Sequence, residues 1–210
     1  MELSPKVSEE HKQERRSDLL NAAKQVFTEN GYEKTTMKHV MNKAKVSRGG
    51  LYFYFSNKED LFEAVLDEEL KENLKEVHEL IESSNECWPL LKLLIKGDED
   101  EPPTEPLAEN LGPVIIEFFI TGRNDSRRIQ YAKERYENAF QFFRPIIEKG
   151  IRSGEFSPKA PTDIIISTIL TFSDGLCIFK ILLKDHTLQS DEQADLFLDY
   201  LRYILQVKDS

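Results

Sequence analysis

The segment Ser47–Phe55, which reads SRGGLYFYF, combines hydroxyl groups, one guanidinium and two adjacent glycines. On a helix, Leu51 and Phe55 lie four residues apart and share one face, whereas residues 52 to 54 sweep around the outside. Adjacent glycines cost about 1 kcal/mol each relative to alanine inside a helix. That cost is explained if the start of the helix must approach another backbone closely, and a DNA groove with its phosphates meets this requirement.

Ordinary core packing is the alternative interpretation of this segment. Tyr52, Phe53 and Tyr54 would then lie against the following helix, and for Phe53 alone neither interpretation is favoured. For the segment as a whole, an outward aromatic surface is the prediction, because the three consecutive side chains point in different directions around a helix.

Short helices must hold this segment in place. The first sixteen residues are polar and are expected to be frayed, and a first helix then ends at Asn30-Gly31. Thr35 or Thr36 caps a second helix, and after a break at Lys45-Val46 the hydroxyl of Ser47 caps a third. Isolated helices shorter than about 12 residues are marginal in water, so the three must pack together as a helix-turn-helix unit. The residues expected to face inward are Leu19, Ala22, Ala23, Val26, Phe27, Val40, Met41 and Ala44.

Helical periodicity continues along the rest of the chain without a period-two strand, so the predicted fold is all-α with about nine helices. A capping box at 56–59 opens a long strut over 59–82, and the acidic, proline-rich stretch 97–106 is predicted to be a loop. The remaining helices are predicted over Cys87 to Ile95, Leu107 to Thr121, Ser126 to Arg152 with a kink at Pro145, Thr162 to Leu183 and Asp191 to Val207.

Charge is distributed unevenly in this acidic chain, whose formal net charge is -10. Residues 1–58 hold 11 basic and 7 acidic residues, which leaves 17 basic and 31 acidic residues for the remainder. This asymmetry predicts two regions with opposite electrostatic roles, of which only the first suits nucleic acid.

Cysteine usage and hydropathy bound the class of protein. Cys87 and Cys177 are far apart and show no metal-ligand spacing, so neither a disulfide framework nor a zinc site is predicted. The chain shows no signal-peptide pattern and no run approaching the roughly 18 apolar residues of a membrane span. A soluble cytoplasmic protein without a membrane partner is therefore expected, and no cofactor and no metal are predicted.

The residues from Thr36 to Asn57-Lys58-Glu59-Asp60-Leu61 resemble the DNA-binding signature of the TetR (tetracycline repressor) family. The matching elements are the Thr36 cap, the turn at 44–47, the Arg48-Gly49 pair and the run LYFYF at 51–55. Outside this segment the likeness is limited to helix number, to SGEF at 153–156 and to DGL at 174–176. The resemblance implies a DNA-binding domain at 1–58 and a ligand-binding and dimerisation domain at 59–210.

The resemblance also implies roles for individual residues. Hydroxyl and ammonium groups are expected to hold phosphates, while Arg48 and the exposed part of the third helix face base edges and Phe53 touches a thymine methyl. Lys45 stands where the family usually has glycine, so it is expected to adopt a positive φ. Gly50 replaces a side chain that often reaches a base, which shifts recognition toward DNA shape. The predicted DNA-binding set is Thr36, Lys45, Ser47, Arg48, Gly49, Gly50, Tyr52, Phe53, Tyr54 and Lys58.

For the C-terminal region the resemblance implies a homodimer through 162–183 and 191–207, because only a second copy would cover so apolar a surface. The alternative is that the helix over 162–183 is central in its own subunit. An unknown small-molecule effector is expected in a cavity, and the acidic charge of the region favours a cationic or neutral one. The residues predicted to line this cavity, unless they form plain core, are Trp88, Phe118, Phe119, Tyr136, Phe140, Phe143, Phe172 and Cys177.

The sequence therefore predicts a regulator, by family default a repressor, that binds a near-palindromic double-stranded operator as a dimer and is released by the effector. An enzyme is disfavoured because no nucleophile elbow, phosphate loop or HExxH motif occurs, and no catalytic residue is predicted. His78 and Glu82 stand four residues apart, but an exposed polar face explains them better than a metal site. The remaining alternative is an all-helical interaction module or a ligand-binding protein without specific DNA binding.

Overall fold

A computed structural model describes residues 9–97, 111–183 and 188–208. Within these ranges the chain forms nine α-helices and no strand, which confirms the all-α prediction. The predicted loop at 97–106 lies outside the described residues except for Gly97, as does the start of the helix predicted from Leu107. The helices are α1 (Glu9–Asn30), α2 (Met37–Ala44), α3 (Arg48–Tyr52), α4 (Lys58–Ser83), α5 (Cys87–Lys96), α6 (Gly112–Thr121), α7 (Ser126–Ser153), α8 (Thr162–Leu183) and α9 (Ser190–Leu205).

The chain divides into two compact units. Unit 1 comprises Met1–Lys71 and Ala108–Phe118, and unit 2 comprises Glu72–Leu107 and Phe119–Ser210. Two helices are shared between them, because the boundaries fall within α4 and within α6.

Helix α1 begins earlier than the sequence suggested. The expectation of a frayed segment up to residue 16 is wrong for the described part, since α1 is helical from Glu9. Ion pairs one turn apart stabilise this polar start: Lys12 Nζ lies 2.7 Å from Glu9 Oε1, and Arg15 pairs with Asp18 at 3.8 Å. These contacts form only once the segment is helical.

Four aromatic rings form the centre of unit 1. Phe27, Tyr32, Phe62 and Phe118 are each at most 2 % exposed. The ring of Phe62 lies 4.6 Å from that of Phe27 and 5.0 Å from that of Phe118, centroid to centroid. This aromatic cluster joins α1, the turn after it, α4 and α6.

The core of unit 2 combines α5, α7, α8 and α9. Its fully buried members include Leu91, Ile147, Ile166 and Leu201. The carboxylate of Glu155 accepts hydrogen bonds from the backbone N–H groups of Cys87 (2.8 Å) and Trp88 (2.7 Å), which caps the start of α5.

Helix α8 differs from the expectation that no segment approaches the length and hydropathy of a membrane span. By length and composition alone α8 qualifies, with a mean hydropathy of 1.8 and 17 % of its apolar window buried. This is the single such helix among the described residues.

Candidate nucleic-acid interface

The helix-turn-helix is fixed by two hydroxyl caps. Thr36 caps α2 by accepting a hydrogen bond from the His39 N–H (3.3 Å), and Ser47 caps α3 by accepting one from the Gly50 N–H (3.2 Å). The sequence alone did not decide whether Thr35 or Thr36 caps α2. Thr35 is instead buried and donates its hydroxyl to the Gly31 carbonyl at 2.7 Å.

Lys45 forms the sharp turn between α2 and α3. Its backbone lies in the left-handed region, with φ 53° and ψ 44°, which confirms the positive φ expected from the sequence. The N–H of Val46, the next residue, donates to the Met41 carbonyl at 3.0 Å and so closes the end of α2.

Helix α3 presents its aromatic side outward. Leu51 is fully buried and Phe55 is 3 % exposed, whereas Tyr52 is 40 % and Phe53 71 % exposed. The core-packing alternative for Phe53 is therefore wrong. The Arg48 guanidinium carbon lies 5.4 Å from the centre of the Tyr52 ring, so these two exposed side chains form one cation-aromatic pair.

A concave surface of about 440 Å³ surrounds the turn and the start of α3. It brings together six of the ten residues predicted to bind DNA, and it adds Arg15 of α1, which lies in the segment that the sequence predicts to be frayed. Its lining residues are Arg15, Lys45, Val46, Ser47, Gly49, Gly50, Phe53 and Tyr54. Thr36, Arg48, Tyr52 and Lys58 lie outside this lining.

Lys58 has protein partners for its ammonium group. Its Nζ donates to the carbonyls of Tyr32 (2.8 Å) and Glu33 (3.2 Å) and lies 4.2 Å from the centre of the Tyr32 ring. These contacts tie α4 to the turn after α1. Lys58 therefore helps to hold the start of α4 against this turn, in addition to the phosphate contact that the resemblance implies.

The residues predicted to line an effector cavity do not meet in one place. The prediction that Phe118 lines the effector cavity is not supported, because Phe118 belongs to the aromatic cluster of unit 1. Phe143 is in the core of unit 2, against which Trp88 and Phe140 pack. Phe172 stacks on Phe197 with ring centres 4.0 Å apart, and burial raises the pKa of the half-buried Cys177 thiol. Phe119 and Tyr136 line one concave surface within unit 2.

Titratable clusters give no sign of a metal centre. Among the residues that the structure describes, no three His, Cys, Asp or Glu side chains group closely enough to hold a metal ion. His78 and Glu82 form a pair with 3.2 Å between Nε2 and Oε1, and both side chains are 71 % exposed.

An all-helical chain whose amino-terminal unit presents a capped, outward helix-turn-helix belongs to the class of DNA-binding transcription regulators. Residues 19–65 match the family described as bacterial regulatory proteins, tetR family, and residues 98–190 match the tetracyclin repressor-like C-terminal domain. The chain is 33 % identical over 204 residues to YfiR, an HTH-type transcriptional regulator of Bacillus subtilis strain 168, covering 97 % of this chain and 98 % of that one. It belongs to the TetR family of transcriptional regulators.

More distant relatives agree with this assignment. The chain is 23 % identical to the HTH-type transcriptional regulator UidR of Escherichia coli K12, over 77 % of this chain and 79 % of UidR. A TetR-family regulator from Cytophaga hutchinsonii shares the fold with a TM-score of 0.75 at 19 % identity, covering 97 % of this chain and 100 % of that one. FadR of Bacillus subtilis, solved in complex with stearoyl-CoA, has a TM-score of 0.66 at 21 % identity, with 88 % and 96 % coverage.

Proposed function

We propose that this TetR-family regulator is a cytoplasmic repressor that binds a near-palindromic operator as a homodimer and is released by a small-molecule effector. It acts by binding and not by turnover. Residues 1–58 form the DNA-binding domain and residues 59–210 the ligand-binding and dimerisation domain. The observation that supports the proposal most is the exposure of Tyr52, the last residue of α3, and of Phe53, which follows it, while Leu51 is fully buried.

The DNA contacts follow from the chemistry of the exposed groups. Lys45 and Arg15, which line the concave surface beside α3, supply cations for backbone phosphates. The Arg48–Tyr52 pair occupies the outer face of α3, where a guanidinium suits guanine O6 and N7. Added carbon at Gly49 would meet no protein atom within 4 Å, so this backbone is open to close approach by a phosphate.

A second copy of the chain is the proposed cover for α8 and α9. Large apolar side chains are exposed along both helices, and a soluble protein rarely leaves so many of them uncovered on neighbouring elements. The exposed set is Ile164, Ile178, Phe179, Leu182, Leu183, Leu196, Tyr200 and Tyr203. Burial of such a surface between identical copies gives the twofold symmetry that two operator half-sites require.

Dimerisation is tested by light scattering after size-exclusion chromatography. Leu182 (66 % exposed) and Leu196 (72 % exposed) are changed to Glu together, which we expect to convert a dimer into a monomer. The matched control is Ile120→Glu, since Ile120 is 57 % exposed but lies on α6. A dimer that survives the double substitution would place the interface elsewhere.

DNA binding is tested by selecting bound duplexes from a random pool and measuring affinity for the enriched site. Arg48→Ala and Tyr52→Ala are expected to abolish specific binding without changing the melting temperature, because both side chains lie on the exposed face. Tyr52→Phe keeps the ring beneath the guanidinium and removes only the hydroxyl. Arg152→Ala, a 70 % exposed position in unit 2, is the control. Failure to enrich a palindrome would refute the operator proposal.

A further inference from the structure

A concave surface of about 480 Å³ lies where α6 ends and α7 begins, entirely within unit 2. Its volume is in the range of sites that bind small organic molecules. Phe119, Ile129, Ala132 and Tyr136 supply its apolar part, together with the stems of neighbouring charged residues. Ile129 is 40 % and Tyr136 45 % exposed, so the apolar part of the site is accessible from solvent.

The charged residues of this surface run against the charge of the region. Unit 2 holds 16 basic and 23 acidic residues, and its acidic excess lies in residues 72–107. The lining nevertheless contains Arg123, Arg128 and Lys133 with Glu137 as its one acidic member. An anion approaching unit 2 is repelled in general and attracted locally at this place.

The start of α7 adds a second observation. Helix starts favour acidic side chains because the helix dipole is positive there. The first turn of α7 contains no acidic residue, although Arg128 lies in it. Asp125 caps the helix by accepting from the N–H groups of residues 127 and 128, at 2.9 and 3.0 Å. The Asp125 carboxylate therefore already complements the dipole, and a bound anion would complement the neighbouring cations.

Hydrogen bonds hold two of the cations at the rim. The guanidinium of Arg123 donates to the Ile120 carbonyl at 3.0 Å, and that of Arg128 donates to Thr121 Oγ1 at 3.3 Å. The ring of Phe119 is stacked on Tyr131 at 6.2 Å between centroids, and that of Tyr136 meets Phe140 at 5.4 Å. The apolar floor and the basic rim are therefore both positioned by contacts within unit 2.

We propose that this site binds an amphipathic organic anion, with its hydrocarbon body on Phe119, Ile129 and Tyr136 and its carboxylate or phosphate head at Arg123, Arg128 and Lys133. The ligand class is the opposite of the cationic or neutral effector expected from the overall charge. This inference rests on the proposed release by an effector, for which it names the ligand chemistry and the place of binding.

Binding is measured on the full chain without DNA, by isothermal titration calorimetry with decanoate, decyl phosphate, decanol and decyltrimethylammonium below their micelle concentrations. We expect at least one of the two anions to bind about tenfold more tightly than decanol, and the ammonium to bind most weakly. Comparison of the two anions separates a carboxylate from a phosphate ligand. Decanol binding as tightly as both anions would overturn the proposal.

Variants then locate the site. The double variant Arg128→Gln with Lys133→Gln should weaken binding of the anion about tenfold or more and leave decanol unchanged. The matched control is Lys92→Gln with Arg152→Gln, which removes one lysine and one arginine elsewhere in unit 2. Equal weakening in both double variants would show a general field effect and refute the site. Ala132→Trp, which fills the concave surface, should abolish binding of every probe.

Operator release is scored separately, by mobility shift of the enriched duplex with saturating anion. Release that is lost in the Arg128/Lys133 variant supports both the site and its role in regulation. Anion binding without release would leave the site in place and refute effector control.

Discussion

Substitution of Lys45 by glycine should raise stability and lower DNA affinity at once. Lys45 occupies the left-handed region at φ 53°, where the Cβ of an L-residue crowds the backbone and glycine is not penalised. The same side chain lines the concave surface beside α3 and is exposed, so it contributes charge where a phosphate is proposed to lie. The two effects have different physical origins and can be measured separately.

The magnitudes follow from these origins. Relief of the left-handed strain is worth roughly 1–2 kcal/mol, and the greater freedom of glycine in the unfolded chain offsets about 0.4–1 kcal/mol of it. A net gain of about 1 kcal/mol corresponds to a rise in melting temperature of roughly 2–4 °C for a chain of this size. Loss of one phosphate contact in each subunit of the dimer should reduce the magnitude of the slope of log affinity against log salt by about 1.8, or about 0.9 per contact.

Calorimetric melting and operator titrations at several salt concentrations measure the two effects, and Lys45→Ala separates them. Alanine removes the charge but keeps the Cβ, so it should reproduce the change in salt slope without the gain in melting temperature. Equal stabilisation by alanine and glycine would refute the strain argument. An unchanged salt slope in both variants would refute the phosphate contact.

Three further predictions concern packing, pH dependence and the contact between α6 and the first helices. Gly150→Ala should destabilise the protein by about 1–3 kcal/mol by overpacking, because the new Cβ would lie 2.2 Å from Phe156 Cδ2. Thermal melts measure the change. The control is Gly175→Ala, whose new Cβ would meet nothing within 4 Å. Burial, followed by the nearby Glu155 carboxylate, raises the pKa of the Cys87 thiol from 9.0 to about 11. The unfolded thiol therefore ionises first, so urea titrations should show stability falling between pH 9 and 11 in the wild type, and falling less in Cys87→Ala, which keeps only the Cys177 thiol with its raised pKa. Glu117→Gln should lower stability by about 1 kcal/mol, because the Glu117 carboxylate accepts hydrogen bonds from the N–H groups of Tyr32 (2.7 Å) and Glu33 (3.3 Å); a melting temperature equal to that of the wild type would contradict it.

The features that sequence predicts well are local. The predicted bounds of α8, Thr162 to Leu183, agree with the structure, and the Ser47 cap and the positive φ of Lys45 are confirmed. Each depends on residues within one or two turns: a continuous apolar pattern, a hydroxyl three residues before an N–H, or a lysine in a position that needs a left-handed backbone.

The features that sequence missed depend on partners distant in the chain. Phe118 and Phe119 are adjacent and equally apolar, yet Phe118 is fully buried in unit 1 and Phe119 lines the concave surface of unit 2. Neighbours on a helix point about 100° apart, so they meet different surroundings. Composition and spacing do not reveal which helix each one meets. Lys58 is a similar case, since its carbonyl partners lie 25 and 26 residues earlier in the chain.

Helix α6 is the element in which the two proposed activities are covalently joined. Its Glu117 accepts hydrogen bonds from the turn after α1, its Phe118 completes the aromatic cluster, and its Phe119 lines the proposed anion site one residue later. A ligand regulates DNA binding only if its affinity differs between the two conformations. The Glu117 carboxylate is one contact through which a change in α6 can reach the turn after α1, so Glu117→Gln should reduce release more than it reduces anion binding.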